Sequence, residues 1–228
     1  MVEIKKYNLP DLEIFYNQDI TDGYFCWIPD KTYIVLGNSN KPEQNIKEFP
    51  VKQDGIPVYK RPSGGHTVIL TPNTLVFSMK FLLEKFSDPR KYFRIINQHV
   101  IDGLTELGIG NLHYRGISDL TLGNKKILGS SIYRKKNILF YHAVLNVREP
   151  VMTIERYLKH PVKEPSYRKG RTHSDFVTSL NDEGYDFSVE QVKSTLDNQL
   201  SLFFEKHPVK MIWYSFFLLQ YFIFYNKD

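Results

Sequence analysis

Apolar positions along this chain fall into short strand-like runs, interrupted by two long stretches with helical spacing. Tyr33-Ile34-Val35-Leu36 is a compact apolar run closed by the turn-forming Gly37-Asn38-Ser39-Asn40. Val58-Tyr59-Lys60 and Thr67-Val68-Ile69-Leu70 flank Pro62-Ser63-Gly64-Gly65, and Thr74 to Phe81 alternates in the strand manner. Asp119-Leu120-Thr121-Leu122 and Lys126-Ile127-Leu128 form a hairpin through Gly123-Asn124, and Leu139 to Val147 supplies another strand. One helix starts near Asp88, with Pro89 at its first position, and carries Phe93, Ile96, Val100, Leu104 and Leu107 before stopping at Gly108. A second opens at Ser188 with Gln191 as a capping box, and Val192, Leu196, Leu200 and Phe203 form its stripe. A shorter helix runs from Thr153 to about Leu158, before Pro161. Runs of strands separated by few helices predict an α+β domain, a mixed and largely antiparallel sheet flanked by helices. No boundary is visible before about Asp182, and the remainder of the chain reads as an appendage of the same fold.

Composition narrows the classes. Hydrophobic residues make up 42% of 228 residues and aromatics 14%, enough for an ordered core rather than a disordered chain. The charge of +5 comes from 30 basic and 25 acidic side chains that are scattered, not gathered into the stripe that nucleic-acid binding needs. Cys26 is the single cysteine, which excludes an intrachain disulfide and multi-cysteine zinc sites. The N-terminus lacks a basic-then-apolar signal peptide, so a cytoplasmic protein is expected. Met211 to Tyr225 is an uncharged run rich in Phe and Tyr, shorter than the roughly 20 residues of a membrane span; it reads first as a buried strand or helix, with a membrane-surface segment or an end produced by a reading-frame change as the alternatives.

Three segments carry candidate chemistry. In Lys60-Arg61-Pro62-Ser63-Gly64-Gly65-His66 the adjacent glycines let another group approach the backbone, Arg61 offers paired hydrogen bonds to a carboxylate or phosphate, and Ser63 adds a donor. A β-turn beside a surface arginine is the ordinary alternative. In Ser118-Asp119-Leu120 followed by Lys125-Lys126-Ile127-Leu128-Gly129-Ser130-Ser131, strand alternation puts Lys126 on one face with Leu128 and Ser130, with Lys125 on the other. An inward Lys126 would stabilise charge developing on an acyl carbonyl or phosphate, and Asp119 would hold magnesium on phosphate oxygens. A solvated lysine pair is the alternative. His142, in Phe140-Tyr141-His142-Ala143-Val144-Leu145, is either a site residue or a hydrogen-bonded core histidine.

Together and in this order the segments resemble the lipoate-protein ligase A family, relatives of octanoyltransferases and biotin protein ligases. Lys60 to Val68 is similar to the family's Arg-Arg-x-Ser-Gly-Gly-Gly stretch, and Ser118-Asp119-Leu120 to its Asn-Asp-Leu. Lys126 to Ser131 looks like its Lys-(Ile/Val)-Ser-Gly-Ser-Ala, His142-Ala143-Val144-Leu145 like its His-Gly-Thr-Leu, and Phe176 to Leu180 like its Arg-Val-Thr-Asn-Leu. The chain departs from the pattern at His66, a glycine in the family, at Leu70, often histidine, and at Ser118.

The resemblance implies a lipoate/biotin ligase-like catalytic domain that makes lipoyl-AMP (or octanoyl-AMP) from the free acid and ATP with Mg2+, then acylates a lysine of a carrier domain. It implies Lys126 as the catalytic residue, touching acyl carbonyl and phosphate. Arg61, Ser63, Gly64, Gly65, His66, Gly129, Ser130 and His142 would bind substrate, Arg61, Asp119 and Lys126 the nucleotide, and Asp119 the metal. Expected acceptors are the lipoyl domains of 2-oxoacid dehydrogenase E2 subunits or the glycine cleavage H protein. No nucleic acid or membrane partner is expected. The chain stops near where ligases continue into a C-terminal accessory domain, so one domain over 1–228 is expected, working with a separate accessory subunit, on preformed lipoyl-AMP, or as a bare transferase. The basic, turn-rich Glu164 to His173 reads as a solvated loop, or one that covers the site or meets an acidic carrier. Two other readings use the same site: an octanoyl- or lipoyltransferase with a preformed acyl donor, for which Cys26 is the only candidate thiol although it lies upstream of the family's usual position and reads as a buried structural cysteine, and a lipoyl-binding module without turnover.

Overall fold

The structure, a computed structural model, describes residues 2–83 and 88–206; Met1 and the apolar run Met211 to Tyr225 lie outside them. In chain order the first elements are β1 (Ile4–Lys6), α1 (Leu12–Tyr16), β2 (Gly23–Trp27), β3 (Tyr33–Leu36), α2 (Pro42–Asn45) and α3 (Glu48–Gln53). Next come β4 (Val58–Lys60), β5 (Val68–Leu70), β6 (Thr74–Leu82), α4 (Pro89–Glu106), β7 (Leu112–Arg115) and β8 (Asp119–Leu122). The last are β9 (Lys125–Lys135), β10 (Ile138–Asn146), α5 (Val151–Tyr157), α6 (His173–Phe176) and α7 (Val189–Lys206). No helix among the described residues is long and apolar enough to cross a membrane.

The strands form two sheets, as the α+β expectation requires. The larger is antiparallel throughout, in the order β2-β6-β10-β9-β8-β7. The smaller, β1-β4-β3-β5, is mixed: β4 runs parallel to β1 and β3, and β5 antiparallel to β3. Helices α4 and α7 cover one face of the larger sheet, where Leu75, Phe77, Met79, Phe81 and Tyr141 meet Ile96, Val100, Leu104, Val192, Leu196 and Leu200. Its other face packs through Val76 and Phe140 onto Val35, Leu70 and the α1 residues Leu12 and Phe15. The far face of the smaller sheet, with Ile34, Leu36, Val58 and Ile69, is closed by Val51 of α3 and Tyr157 of α5.

Both long helices form for the reasons their spacing gives. Asp88 caps α4 by accepting from Arg90 N, and the helix ends with Ile109 N donating to Leu104 O and Gly108 N to Thr105 O around Gly108 at φ 79°. Ser188 and Gln191 exchange the two bonds of a capping box at the start of α7. The two helices cross tightly at Gly103, where a Cβ would meet Leu196 and Gln199 at 3.0 Å. With Val192, Leu196 and Leu200 fully buried, α7 is a wall of the main core and not the appendage that its place after Asp182 suggested. Strand β9 also runs well past the expected Leu128, because it pairs with β10 as far as Lys135.

Candidate active site

Lys126 reaches a cavity by a route that simple alternation misses. Between β8 and β9 the register shifts: Leu120 faces Leu128 while Thr121 faces Lys126, so Ile127 is an extra residue in β9. Ile127 and Leu128 both enter the helix-side core. The bulge thereby moves Lys126 to the opposite face from Leu128 and Ser130, which corrects the expectation that the three share one. There Lys126 Nζ lies 2.7 Å from Asp119 Oδ1, and Tyr167 OH donates to Asp119 Oδ2 at 2.7 Å. Gly129, opposite Asp119 in the ladder, leaves the space the amine occupies: a Cβ there would stand 2.8 Å from Nζ. Lys125 points the other way, 3.6 Å from Glu183.

The Gly64-Gly65 turn is held from beneath by Arg61. The guanidinium, 5% exposed, donates from Nε to Ser63 Oγ, from Nη1 to Val35 O, and from Nη2 to Gly64 O and His66 O. Burial pulls its pKa down to about 10, which leaves it charged at neutral pH. Arg61 therefore shapes the turn by binding its carbonyls, and does not stand as a free fork awaiting an anion. Gly65, at φ 89°, has Arg61 Nη2 3.0 Å from where a Cβ would be. The Gly37 to Asn40 turn stacks against it: a Cβ on Gly37 would lie 2.2 Å from Gly65 O, and Asn38 N donates to Ser63 O. Ser131 Oγ of β9 donates to Gly64 O, and Ser130 Oγ to Ser118 O.

A buried polar network backs this turn. Ser63 Oγ lies 2.6 Å from His142 Nε2, and His142 Nδ1 lies 4.0 Å from Asp11 Oδ2. Tyr7 OH and Ser78 Oγ both donate to Asp11. Because the Ser63 oxygen accepts from Arg61, its own proton can go to His142 Nε2, which places the imidazole proton on Nδ1 facing Asp11. Burial, followed by the Arg61 charge, pushes the His142 pKa down to about 3, and burial pushes Asp11 up to about 6. Sequence reasoning named His142 and Ser63 but missed Asp11, Tyr7 and Tyr167. One signal existed: Ser78 and Lys80 are polar positions on β6, yet both are buried beside α1 and the chain before β2.

These groups surround a cavity of about 850 Å³, lined by Arg61, Gly65, Asp119, Lys126, Ser130 and His142 with apolar Val68, Leu70 and Val76. A second cavity, of about 140 Å³, adjoins it and includes Asn146, Glu149, His173 and Phe176. Lys126, Gly129 and His66 line both. The His66 ring sits 2.6 Å from Lys163 O, and desolvation followed by the nearby Lys126 charge lowers its pKa. Residues Lys163 to Ser166 form part of the larger cavity's wall, so the Glu164 to His173 segment does cover the site.

No cluster of three or more metal-ligating side chains occurs among the described residues. A magnesium ion carried on nucleotide phosphates needs only one or two carboxylates, and each Asp119 oxygen keeps a lone pair beyond those given to Lys126 and Tyr167. The donor set fits such an ion. Cys26 lies in the helix-side core opposite Phe77, and burial together with Asp197 pushes its thiol well above the usual range. It has neither the ionisation nor the position of an acyl-accepting nucleophile at this cavity.

A family model for the lipoyl protein ligase A/B catalytic domain matches residues 12–201. The chain is 24% identical over 151 residues to lipoate–protein ligase 1 of Staphylococcus aureus, covering 66% of this chain and 45% of that protein. It spans about half the length of several curated relatives it matches. Among solved structures it is similar to the bi-partite lipoate protein ligase of Thermoplasma acidophilum, described with its E2 lipoyl domain (TM-score 0.71, 19% identity, 88% of this chain and 82% of that one). It is also similar to a lipoate-protein ligase A bound with ATP (TM-score 0.67, 21% identity, 88% of this chain and 83% of that one). At these identities the structural likeness speaks to the fold.

Proposed function

Because this chain belongs to the lipoyl protein ligase A/B catalytic domain family, we propose that it activates lipoate, or octanoate, with ATP and transfers the acyl group to a lysine of a lipoyl carrier domain such as that of an E2 subunit. The observation that carries the reading is the Lys126 ammonium, held over side-chain-free Gly129 where the two cavities meet. A carboxylate is a poor acyl donor until adenylation gives it a good leaving group. The apolar walls of the larger cavity suit a medium acyl chain, and its volume leaves room for the nucleotide phosphates as well, with the smaller cavity extending that space beyond Lys126. The carbonyl–phosphate anhydride would lie at their junction, beside Lys126. Lys126 neutralises charge there, both when the carboxylate attacks the α-phosphate and displaces pyrophosphate and when the neutral amine of the carrier lysine attacks the carbonyl, displacing AMP and releasing a proton. The Gly64-Gly65 turn, rigid on Arg61, Ser63 and His142, forms one wall. Ser131 and His66 line the same space, and magnesium, with Asp119 as its protein carboxylate, would offset charge on the phosphates.

The experiment is lipoate-dependent exchange of pyrophosphate into ATP, run beside transfer from an octanoylated carrier thioester. Exchange is expected. Its absence, with transfer from the thioester intact, would replace the ligase with a transferase, and binding of lipoyl-AMP with no product from either donor would leave a binding module.

A further inference from the structure

Tyr167 lies in none of the recognisable motifs, yet its hydroxyl occupies the second oxygen of the carboxylate that holds Lys126. Its ring packs on Phe176 at 5.1 Å between centroids. It also closes over Gly116, where a Cβ would come within 3.3 Å of the Tyr167 ring. Phe176 is flanked by the Arg168 and Arg171 guanidiniums at 4.7 and 5.1 Å. Arg171 in turn donates to Asn124 O in the β8–β9 turn and to Tyr167 O. The covering segment is thus fastened to the hairpin at two points, the Arg171 side chain and the Tyr167 hydroxyl, and the second of these ends on the counter-ion of Lys126.

We propose that Tyr167 is a positioning residue: by fixing Asp119, it sets the attitude of the Lys126 ammonium over Gly129 and couples it to the seating of the covering segment. This rests on the function proposed above for the same site. A carboxylate held by charge-assisted hydrogen bonds on both oxygens has one orientation, whereas one held on a single oxygen rotates and takes its ammonium partner with it.

Tyr167→Phe keeps the ring and its Phe176 contact while removing the bond. Two readouts are needed on the full chain. The first is competitive labelling of lysines with acetic anhydride, resolved by peptide mass spectrometry. The second is the separate measurement of kcat and KM for transfer to a carrier domain. Lys126 labelling is expected to rise severalfold against the exposed lysines, and kcat to fall about tenfold with KM within about twofold, the pattern of a displaced catalytic group. In an Asp119→Asn background the substitution should add nothing, since the carboxylate it orients is gone. Wild-type labelling of Lys126 in Tyr167→Phe, an unchanged kcat, or a full additive effect in the Asp119→Asn background would each overturn the proposal. If the unsubstituted protein transfers from no donor, the proposed function fails on its own account, and Lys126 labelling still decides whether Tyr167 holds it.

Discussion

Asp11 and His142 show how single side chains in this site trade against each other. The His142 pKa is depressed to about 3, so its contribution to stability is present above its unfolded value near 6.5 and is lost as pH falls towards 3. Asp11 is raised to about 6, so its contribution is present below its unfolded value near 3.8 and is lost as pH rises through 6. Between about pH 4 and 6 the two slopes oppose. Asp11→Asn should uncover the histidine slope, giving stability that falls by roughly 1 kcal/mol for each pH unit of acidification across that window. His142→Gln should do the reverse and make the protein relatively more stable at pH 4 than at pH 6. Urea unfolding across this range measures both, and identical pH profiles for the two variants would contradict the assignment. Arg61 was legible as chemistry but not as a bracket for the glycine turn, because its acceptors are carbonyls from Val35, Gly64 and His66, which carry no sequence signature.

At the scale of elements, the stripes on α4 and α7, their caps and the Gly123-Asn124 hairpin were legible because helical spacing and turn chemistry are local. The face of Lys126 was not. A bulge is a property of the pairing between β8 and β9, and nothing in Lys126-Ile127-Leu128 announces that two successive apolar residues will both turn inward. β2 went unread because Gly23-Tyr24-Phe25-Cys26-Trp27 does not alternate, and α1 because one turn and a half is too short for a stripe. The motif glycine at 129 gains its meaning here. In Gly129→Ala the new methyl would lie 2.8 Å from Lys126 Nζ and 2.9 Å from Cε, and the end of a flexible side chain yields before the sheet does. The expected result is near-native stability, within about 1 kcal/mol, with transfer reduced by about 10²-fold as the amine leaves its place. Thermal melting and single-turnover transfer check this; a variant that unfolds, or one that transfers normally, would show that Gly129 serves the fold or serves nothing.

For the whole molecule, fold class and the order of the motifs were readable, while the division of the strands into two sheets was not, since it depends on long-range pairing such as β1 with β4. That division builds the site: the smaller sheet presents the glycine turn after β4, the larger presents Lys126 and His142, and the cavity lies between them. The helices α4 and α7 support the larger sheet from behind. Leu196→Ala, at the α4–α7 crossing, should therefore cost about 3 kcal/mol in chemical denaturation and leave the transfer rate of the folded fraction unchanged. The most direct trial of the account is intact-mass spectrometry of a lipoyl carrier domain incubated with this protein, lipoate, ATP and magnesium. One lipoyl adduct on the carrier lysine is expected with the native chain, and a rate at least about 10²-fold lower with a folded Lys126→Ala variant. An unmodified carrier domain in the first incubation, or equal modification in the second, would contradict it.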